Sequence, residues 1–317
     1  MKKKNHKLLT LAVLAGSATT IIHVANKFIA ATSQLKEMLD ISSCRNFYEW
    51  RLGDIYYTKR GEGSPILLIH DLLPGASGYE WNRIEKELAT EHTVYTIDLL
   101  GCGRSAKPGI TYTNFLYVQL ICDFVKDVIK EKTDIIASGM SCSFAVMSCL
   151  NEKEYLGKLM LVNPPSLNSL QKMPGYKEKL LKTALEIPVF GTLVYHMIVS
   201  RENTSNLFIE NMYHNPFHVS DEIIDTYYEA AHKGGCYAKF LLGSLIGKYV
   251  NISIDHALSS IDNCLYIVSG EENSSQLITN EYARLNPAIE SVQIPKTKRL
   301  PHMEDPEHFL EQVGIFF

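Results

Sequence analysis

The chain has 317 residues, 46% of them hydrophobic and 21% charged, with a formal net charge of −4. That is enough apolar material for a sizeable core in one domain with an insertion. The slightly acidic balance gives no basic footprint for nucleic acid, and neither internal repeats nor low-complexity tracts are visible.

The N-terminus opens with four lysines within Met1–Lys7 and continues as the apolar stretch Leu8–Ile22. His23, Asn26 and Lys27 interrupt that stretch, which resumes at Phe28–Ala31. A cleaved signal peptide fits the basic start, with Gly16-Ser17-Ala18 as a poor cleavage site. A membrane span fits the length, since about 20 residues cross a bilayer, and an amphipathic helix on the membrane surface fits the polar interruptions. The expectation for residues 1–35 is an uncleaved hydrophobic membrane segment. Early lysines favour an internal N-terminus and an external catalytic domain. The seven cysteines point the other way. Four of them, Cys102, Cys122, Cys142 and Cys149, fall within predicted core elements, as free thiols of a reducing compartment would. The side of the membrane is left open.

In chain order, Tyr48–Thr58 predicts a hairpin turning near Gly53. Ile66–His70 is a continuous apolar run, as expected of a strand buried on both faces of a parallel sheet. It ends at His70-Asp71-Leu72. A second strand ends at Asp98 and leads into Gly101-Cys102-Gly103-Arg104-Ser105. The run Thr133–Ser138 predicts a strand, Phe144 onward a helix, and Gly139-Met140-Ser141-Cys142-Ser143 a sharp turn between them with serine at its apex. Small residues at 139 and 143 let strand and helix approach closely, and the Cys142 N–H opens the helix toward a developing oxyanion. A serine that merely caps a helix fits the same five residues. Lys158–Asn163 and Leu265–Gly270 are further strands. Between them, from about 166 to 250, the βα rhythm stops. Helical stretches at Tyr176–Leu185 and Glu222–Ala231, broken at Pro188 and Gly191, predict an inserted helical cap. Strands alternating with helices elsewhere imply a mostly parallel sheet.

Several segments together resemble the α/β-hydrolase superfamily. They are His70-Asp71-Leu72, Asp98 through Ser105 as D-x-x-G-x-G-x-S, the serine turn, and Leu300-Pro301-His302-Met303-Glu304-Asp305-Pro306-Glu307. The resemblance covers residues 47–317. It implies an α/β-hydrolase fold, a mostly parallel sheet flanked by helices, with a helical cap about 166–250 inserted. It also implies Ser141 as nucleophile, His302 as base, and an oxyanion hole from the N–H groups of Leu72 and Cys142. His70 is the rival base, although its position in the family implies a structural role. Asp71 departs from the family, standing where a glycine is usual.

The acid departs too. Gly270-Glu271-Glu272-Asn273 puts asparagine in the family's aspartate slot, and the alternative slot holds Asn163. Either Glu272 or Asn273 orients the histidine, with Glu271 a weaker candidate, or no third member works. Replacing the triad aspartate by asparagine can cost about 10⁴ in rate.

A serine at the turn makes dehalogenase and epoxide-hydrolase chemistry, which use aspartate there, unexpected. The expected function is a serine hydrolase acting on a carboxylic ester or similar acyl substrate through an acyl-enzyme. No cofactor or metal is expected, and the catalytic domain is expected to be a monomer acting on a small apolar ester-like substrate. Tyr195, Met197, Phe208, Met212, Tyr213, Phe217, Tyr227 and Tyr228 of the cap suit either an apolar pocket or an ordinary core. Two other classes stay open: a weak or inactive hydrolase-like protein that binds a small apolar ligand or partner, and a membrane-tethered scaffold.

Overall fold

The structure, a computed structural model, describes residues 2–41 and 45–317. Eight strands form one sheet: β1 (Asn46–Trp50), β2 (Gly53–Arg60), β3 (Ser64–Ile69), β4 (His92–Ile97), β5 (Thr133–Ser138), β6 (Leu156–Val162), β7 (Leu265–Gly270) and β8 (Glu290–Ile294). Their order is β1-β2-β4-β3-β5-β6-β7-β8. β2 runs antiparallel to β1 and β4, and every other pairing is parallel. The β1–β2 hairpin pairs Trp50 with Gly53, whose φ of +130° closes a two-residue turn that a side chain would strain.

The parallel strands read as continuous apolar runs because helices cover both faces. In β3, Leu67 and Ile69 join one core with Ile135, Ala137, Phe144 and Tyr117. Ile66 and Leu68 point to the other face, with Trp81, Ile136 and Phe309. The first core takes α2 (Asn114–Phe124) and α3 (Ser141–Asn151), and the second takes the C-terminal helix Pro306–Phe316.

Between β6 and β7 lie α4 (Tyr176–Glu186), α5 (Phe190–Ile198), α6 (Arg201–Leu207), α7 (Asp221–His232) and α8 (Lys239–Ile246). α4 ends where Pro188 forbids its continuation. α5 then folds back so closely that a Cβ on Gly191 would lie 2.0 Å from the Leu185 carbonyl oxygen. Ser220 caps α7 by accepting from the Ile223 N–H, and Asp221 and Glu222 complement the helix dipole. Phe208, Met212, Tyr213 and Tyr227 are buried together with Leu300 and Met303 of the main body, and Tyr195 is buried in a second small core. Met197 and Phe217 are exposed.

The first helix, α1 (Lys2–Thr32), is 31 residues long, about 46 Å at 1.5 Å per residue. Its Val13–Thr32 segment is long and apolar enough to cross a membrane, and only 6% of it is buried against the protein. Val13, Leu14, Ile21, Val24 and Phe28 are exposed, whereas Asn26 is buried and its Nδ2 donates to the Val189 carbonyl at 2.9 Å. Cys102, Cys122, Cys142 and Cys149 are buried free thiols, Cys236 and Cys264 are exposed free thiols, and Cys44 lies outside the described residues.

Candidate active site

The parallel strands deliver their carboxyl ends to one edge of the sheet, where ligands of open α/β sheets bind. β5 ends at Ser138 and α3 begins at Ser141. The residue that makes the sharp turn is Gly139, with φ +53°. The apex therefore falls two residues before the expected one, which corrects the register. The turn follows directly on the strand, and glycine is the residue there that takes a positive φ without strain. The pentapeptide pattern had two solutions, because Ala137-Ser138-Gly139-Met140-Ser141 also begins and ends on small residues.

Ser141 is fully buried in the first turn of α3, and its Oγ donates to the His70 carbonyl at 2.6 Å. The Cys142 N–H is also engaged, donating to the Gly139 carbonyl at 3.2 Å within the turn. The thiol of Cys142 is enclosed against the carbonyls of Ala137 and Val162. Burial pushes its pKa well above the ordinary thiol value.

Asp71 fills the space at the apex. A Cβ placed on Gly139 would lie 2.1 Å from the Asp71 Cγ and 2.2 Å from Oδ1. Oδ1 accepts from the N–H groups of Leu72 and Met140, each at 2.8 Å. The two N–H groups directed here are those of Leu72 and Met140; that of Cys142 is not one of them. A carboxylate of the chain itself occupies both donors. Oδ2 accepts from Arg299 Nη2 at 2.8 Å, and the charge of Asp71 raises the Arg299 pKa above its ordinary value.

From the loop after β8, then, Arg299 reaches the apex. His302, three residues on, turns beneath it. His302 is fully buried, stacks on the Trp81 ring with centroids 4.2 Å apart, and lies against Phe309. Its Nε2 stands 3.3 Å from Glu80 Oε1, a close polar contact whose angles fall short of a hydrogen bond. Glu80 is buried, and its Oε2 accepts from the Asp71 N–H at 3.1 Å. Burial drives the Glu80 pKa up, but His302 outweighs it and holds the carboxyl below its ordinary value. Among the described residues no hydrogen bond joins Ser141 to His302. His70 is locked in the scaffold: Nε2 accepts from the Leu99 N–H at 3.0 Å, so Nδ1 carries the proton to the Asp71 carbonyl at 2.7 Å.

Among the described residues, neither Glu271 nor Glu272 forms a hydrogen bond or ion pair with His302. Glu272 stands 3.5 Å from Lys298, Glu271 accepts from the Lys296 N–H, and Asn273 begins the helix α9 (Asn273–Leu285) with its side chain outside the described residues. Asn163 clamps the Arg299 loop: its Nδ2 donates to the carbonyls of Lys298 and Arg299, both at 3.0 Å, and its Oδ1 accepts from the Gly270 N–H. The segment Asp98 through Ser105 is likewise scaffold. Asp98 accepts from Arg104 through Nε at 2.7 Å and Nη2 at 2.9 Å, and from the Gly78 N–H at 2.6 Å.

A cleft of about 400 Å³ opens on Gly139 and Arg299. Its walls are polar, with Asn163, Ser275 and Thr279 from the main body and Ser166, Ser169 and Asn211 from the segment between β6 and β7. The cap aromatics expected to line a substrate pocket do not reach it. Among the described residues no cluster of three or more His, Cys, Asp or Glu side chains is arranged to hold a metal ion.

A sequence profile of the alpha/beta hydrolase family matches residues 66–312. The 2-hydroxy-6-oxo-6-(2'-aminophenyl)hexa-2,4-dienoic acid hydrolase of Metapseudomonas resinovorans is 30% identical over 113 residues, 35% of this chain and 39% of that protein. The match thus spans well under half the length of that relative. The crystal structure of a serine hydrolase involved in carbazole degradation superposes with a TM-score of 0.71 at 19% identity, over 86% of this chain and 97% of that one. A membrane phospholipase A, described as a bacterial virulence factor, superposes with a TM-score of 0.68 at 19% identity, over 100% of this chain and 98% of that one. At such identities the two structural likenesses bear on the fold alone.

Proposed function

Because this chain belongs to the alpha/beta hydrolase family while carrying a glycine at its elbow, we propose that it uses the fold to bind a ligand and not to hydrolyse one. The observation that carries this reading is the Asp71 carboxylate, which accepts both N–H groups that would stabilise an oxyanion and fills the position of a nucleophile's side chain. An acyl-enzyme needs a hydroxyl with a base in reach and an empty oxyanion hole. Ser141 has its hydroxyl committed to a backbone carbonyl, and the group reaching the apex from the last loop is a guanidinium, which cannot take a proton at neutral pH. A fixed anion next to the reacting carbonyl would raise the energy of the tetrahedral intermediate.

The ligand suited to the cleft is a small polar molecule, since its walls offer hydroxyls, amides and the Arg299 guanidinium. In this reading α1 tethers the protein to a membrane, on the strength of the Val13–Thr32 segment and the preceding lysines. The competing reading is a serine hydrolase working through Ser141 and His302, as many of the family are.

Labelling with a fluorophosphonate separates the two. The purified full-length protein should take up no label, and a short-chain aryl ester should hydrolyse at the buffer rate with wild type and Ser141→Ala alike. Label located on Ser141, and lost in Ser141→Ala, sinks the binding reading.

A further inference from the structure

A second cavity, of about 540 Å³, lies between α1, the bend from α4 to α5, and the turn leading into α8. It shares no lining residue with the cleft at Gly139. Its walls include Ala30, Val189 and Phe240, and it sits beside the second half of the Val13–Thr32 segment.

Three buried polar groups face this space with hydrogen-bonding capacity to spare. Lys239 is 3% exposed; its Nζ donates to the Ile187 carbonyl at 2.8 Å and to Thr192 Oγ1 at 3.2 Å. The first of these bonds caps the C-terminal end of α4 at Ile187, a role that suits a lysine, and the second ties it to α5. They leave one of its three N–H donors unassigned, and among the described residues no carboxylate forms an ion pair with it. His196 is 4% exposed and neither ring nitrogen has a partner. Asn26 is buried, and its Oδ1 has no partner. Glu186 also lines the cavity and its charge acts on Lys239, but its carboxylate is held by Lys182 at 2.7 Å; a buried ammonium with no ion pair of its own and two unsatisfied polar side chains are each costly. An anionic head would accept from Lys239 and from the protonated ring nitrogen of His196, and an apolar body would fill the rest of the space; Asn26 Oδ1, itself an acceptor, is not served by the anion.

We propose that this cavity is a binding site for a single-chain amphiphile with a carboxylate head, a free fatty acid. The carboxylate lies against Lys239 and His196, and the tail runs between Ala30, Val189 and Phe240. Charge complementarity selects the head: Lys27 and Lys239 both line the enclosure, and its one lining carboxylate, Glu186, is already paired with Lys182 at 2.7 Å. Position selects the source, on the reading above that α1 tethers the protein to a membrane: the cavity lies against the second half of the Val13–Thr32 segment. The site is independent of whether the cleft at Gly139 is catalytic.

Photo-cross-linking tests it on the full-length protein in phosphatidylcholine nanodiscs, using a long-chain fatty acid bearing a diazirine in its tail. The adducts should map to the α4–α5 bend and to the turn before α8. Excess oleate should compete them away, while methyl oleate and lysophosphatidylcholine at equal concentration should not. Lys239→Met should reduce labelling about tenfold or more, as loss of a charge-assisted hydrogen bond does. Ala30→Trp leaves every charge in place and fills the tail space, so it should abolish labelling even if Lys239→Met proves unstable. Adducts spread evenly over the exposed face of α1, or equal competition by oleate and methyl oleate, overturn the proposal.

Discussion

The cleft at Gly139 and the cavity beneath α1 are opposites. The cleft is polar, and its charged groups are already spent on one another: Asp71 holds Arg299, Leu72 and Met140, and Glu272 stands near Lys298. The cavity is lined more sparsely by polar groups, yet His196, Asn26 and Lys239 have capacity left unused. Concavity at the expected edge of a sheet is therefore a poor guide to where this molecule has free chemistry. Unsatisfied buried groups are a better one, because burial without a partner costs free energy that only a ligand can return.

The sharpest way to break the comparison is to empty the cleft. Asp71→Gly, Gly139→Ser and Arg299→His together would vacate the two N–H donors, place a hydroxyl at the apex and supply an imidazole from the loop that reaches it. The expected outcome is a change from no fluorophosphonate labelling to clear labelling on the introduced serine, the largest effect anticipated here. A folded triple variant that stays unlabelled would show that the geometry at Gly139 is not a hydrolase site awaiting its side chains.

Next in size is the cost of removing the carboxylate alone. Asp71→Ala leaves a guanidinium without its counter-charge and two backbone N–H groups without an acceptor. Breaking a fully buried pair in this way costs about 3–5 kcal/mol. Arg299 keeps 43% of its side chain exposed, so water recovers part of that and about 2–3 kcal/mol is expected in urea unfolding. Asp71→Asn keeps an acceptor for both N–H groups and should lose less. Equal losses for the two variants would mean that the charge, and not the occupied donors, is what the site needs.

Much of the fold was legible because it rests on local signals. Continuous apolar runs gave β3, β5 and β7, the glycine at 53 gave the hairpin, and Pro188 and Gly191 gave the break between α4 and α5. The site was legible only in its backbone, in the sharp turn between β5 and α3. Side chains that meet across the fold were not. Asp71 and Arg299 are 228 residues apart, and a reading drawn to the histidine at 302 passes over the arginine beside it. Glu80 gives no pattern at all until the fold brings it against His302. The elbow itself was misplaced by two residues because small residues at 137, 139, 141 and 143 permit two registers, and only the end of β5 distinguishes them.

The smallest effect concerns the cavity, and it is read from pH. Burial, and then the neighbouring His232, lower the His196 pKa from 6.5 to about 4. Burial lowers His232 as well. The rings of these two histidines stack with centroids 4.9 Å apart, Tyr195 lies beside them, and Lys239 shares the cavity with His196. A folded-state pKa below the unfolded one means that the unfolded chain binds the proton first as pH falls. Stability is then complete above about pH 6.5, declines as pH drops toward 4, and changes no further through this group below that. His196→Phe keeps a ring for His232 to stack on and removes the titration. It sacrifices no hydrogen bond, because neither nitrogen of His196 has a partner. Thermal melting of both proteins across pH 7 to 4 should therefore show the variant losing less stability than wild type in that window. The carboxylates with lowered pKa values, Asp98 and Glu80, are common to both proteins and cancel in the difference. Parallel curves would mean that His196 is already charged or already partnered in the folded protein, and the cavity would then be as saturated as the cleft.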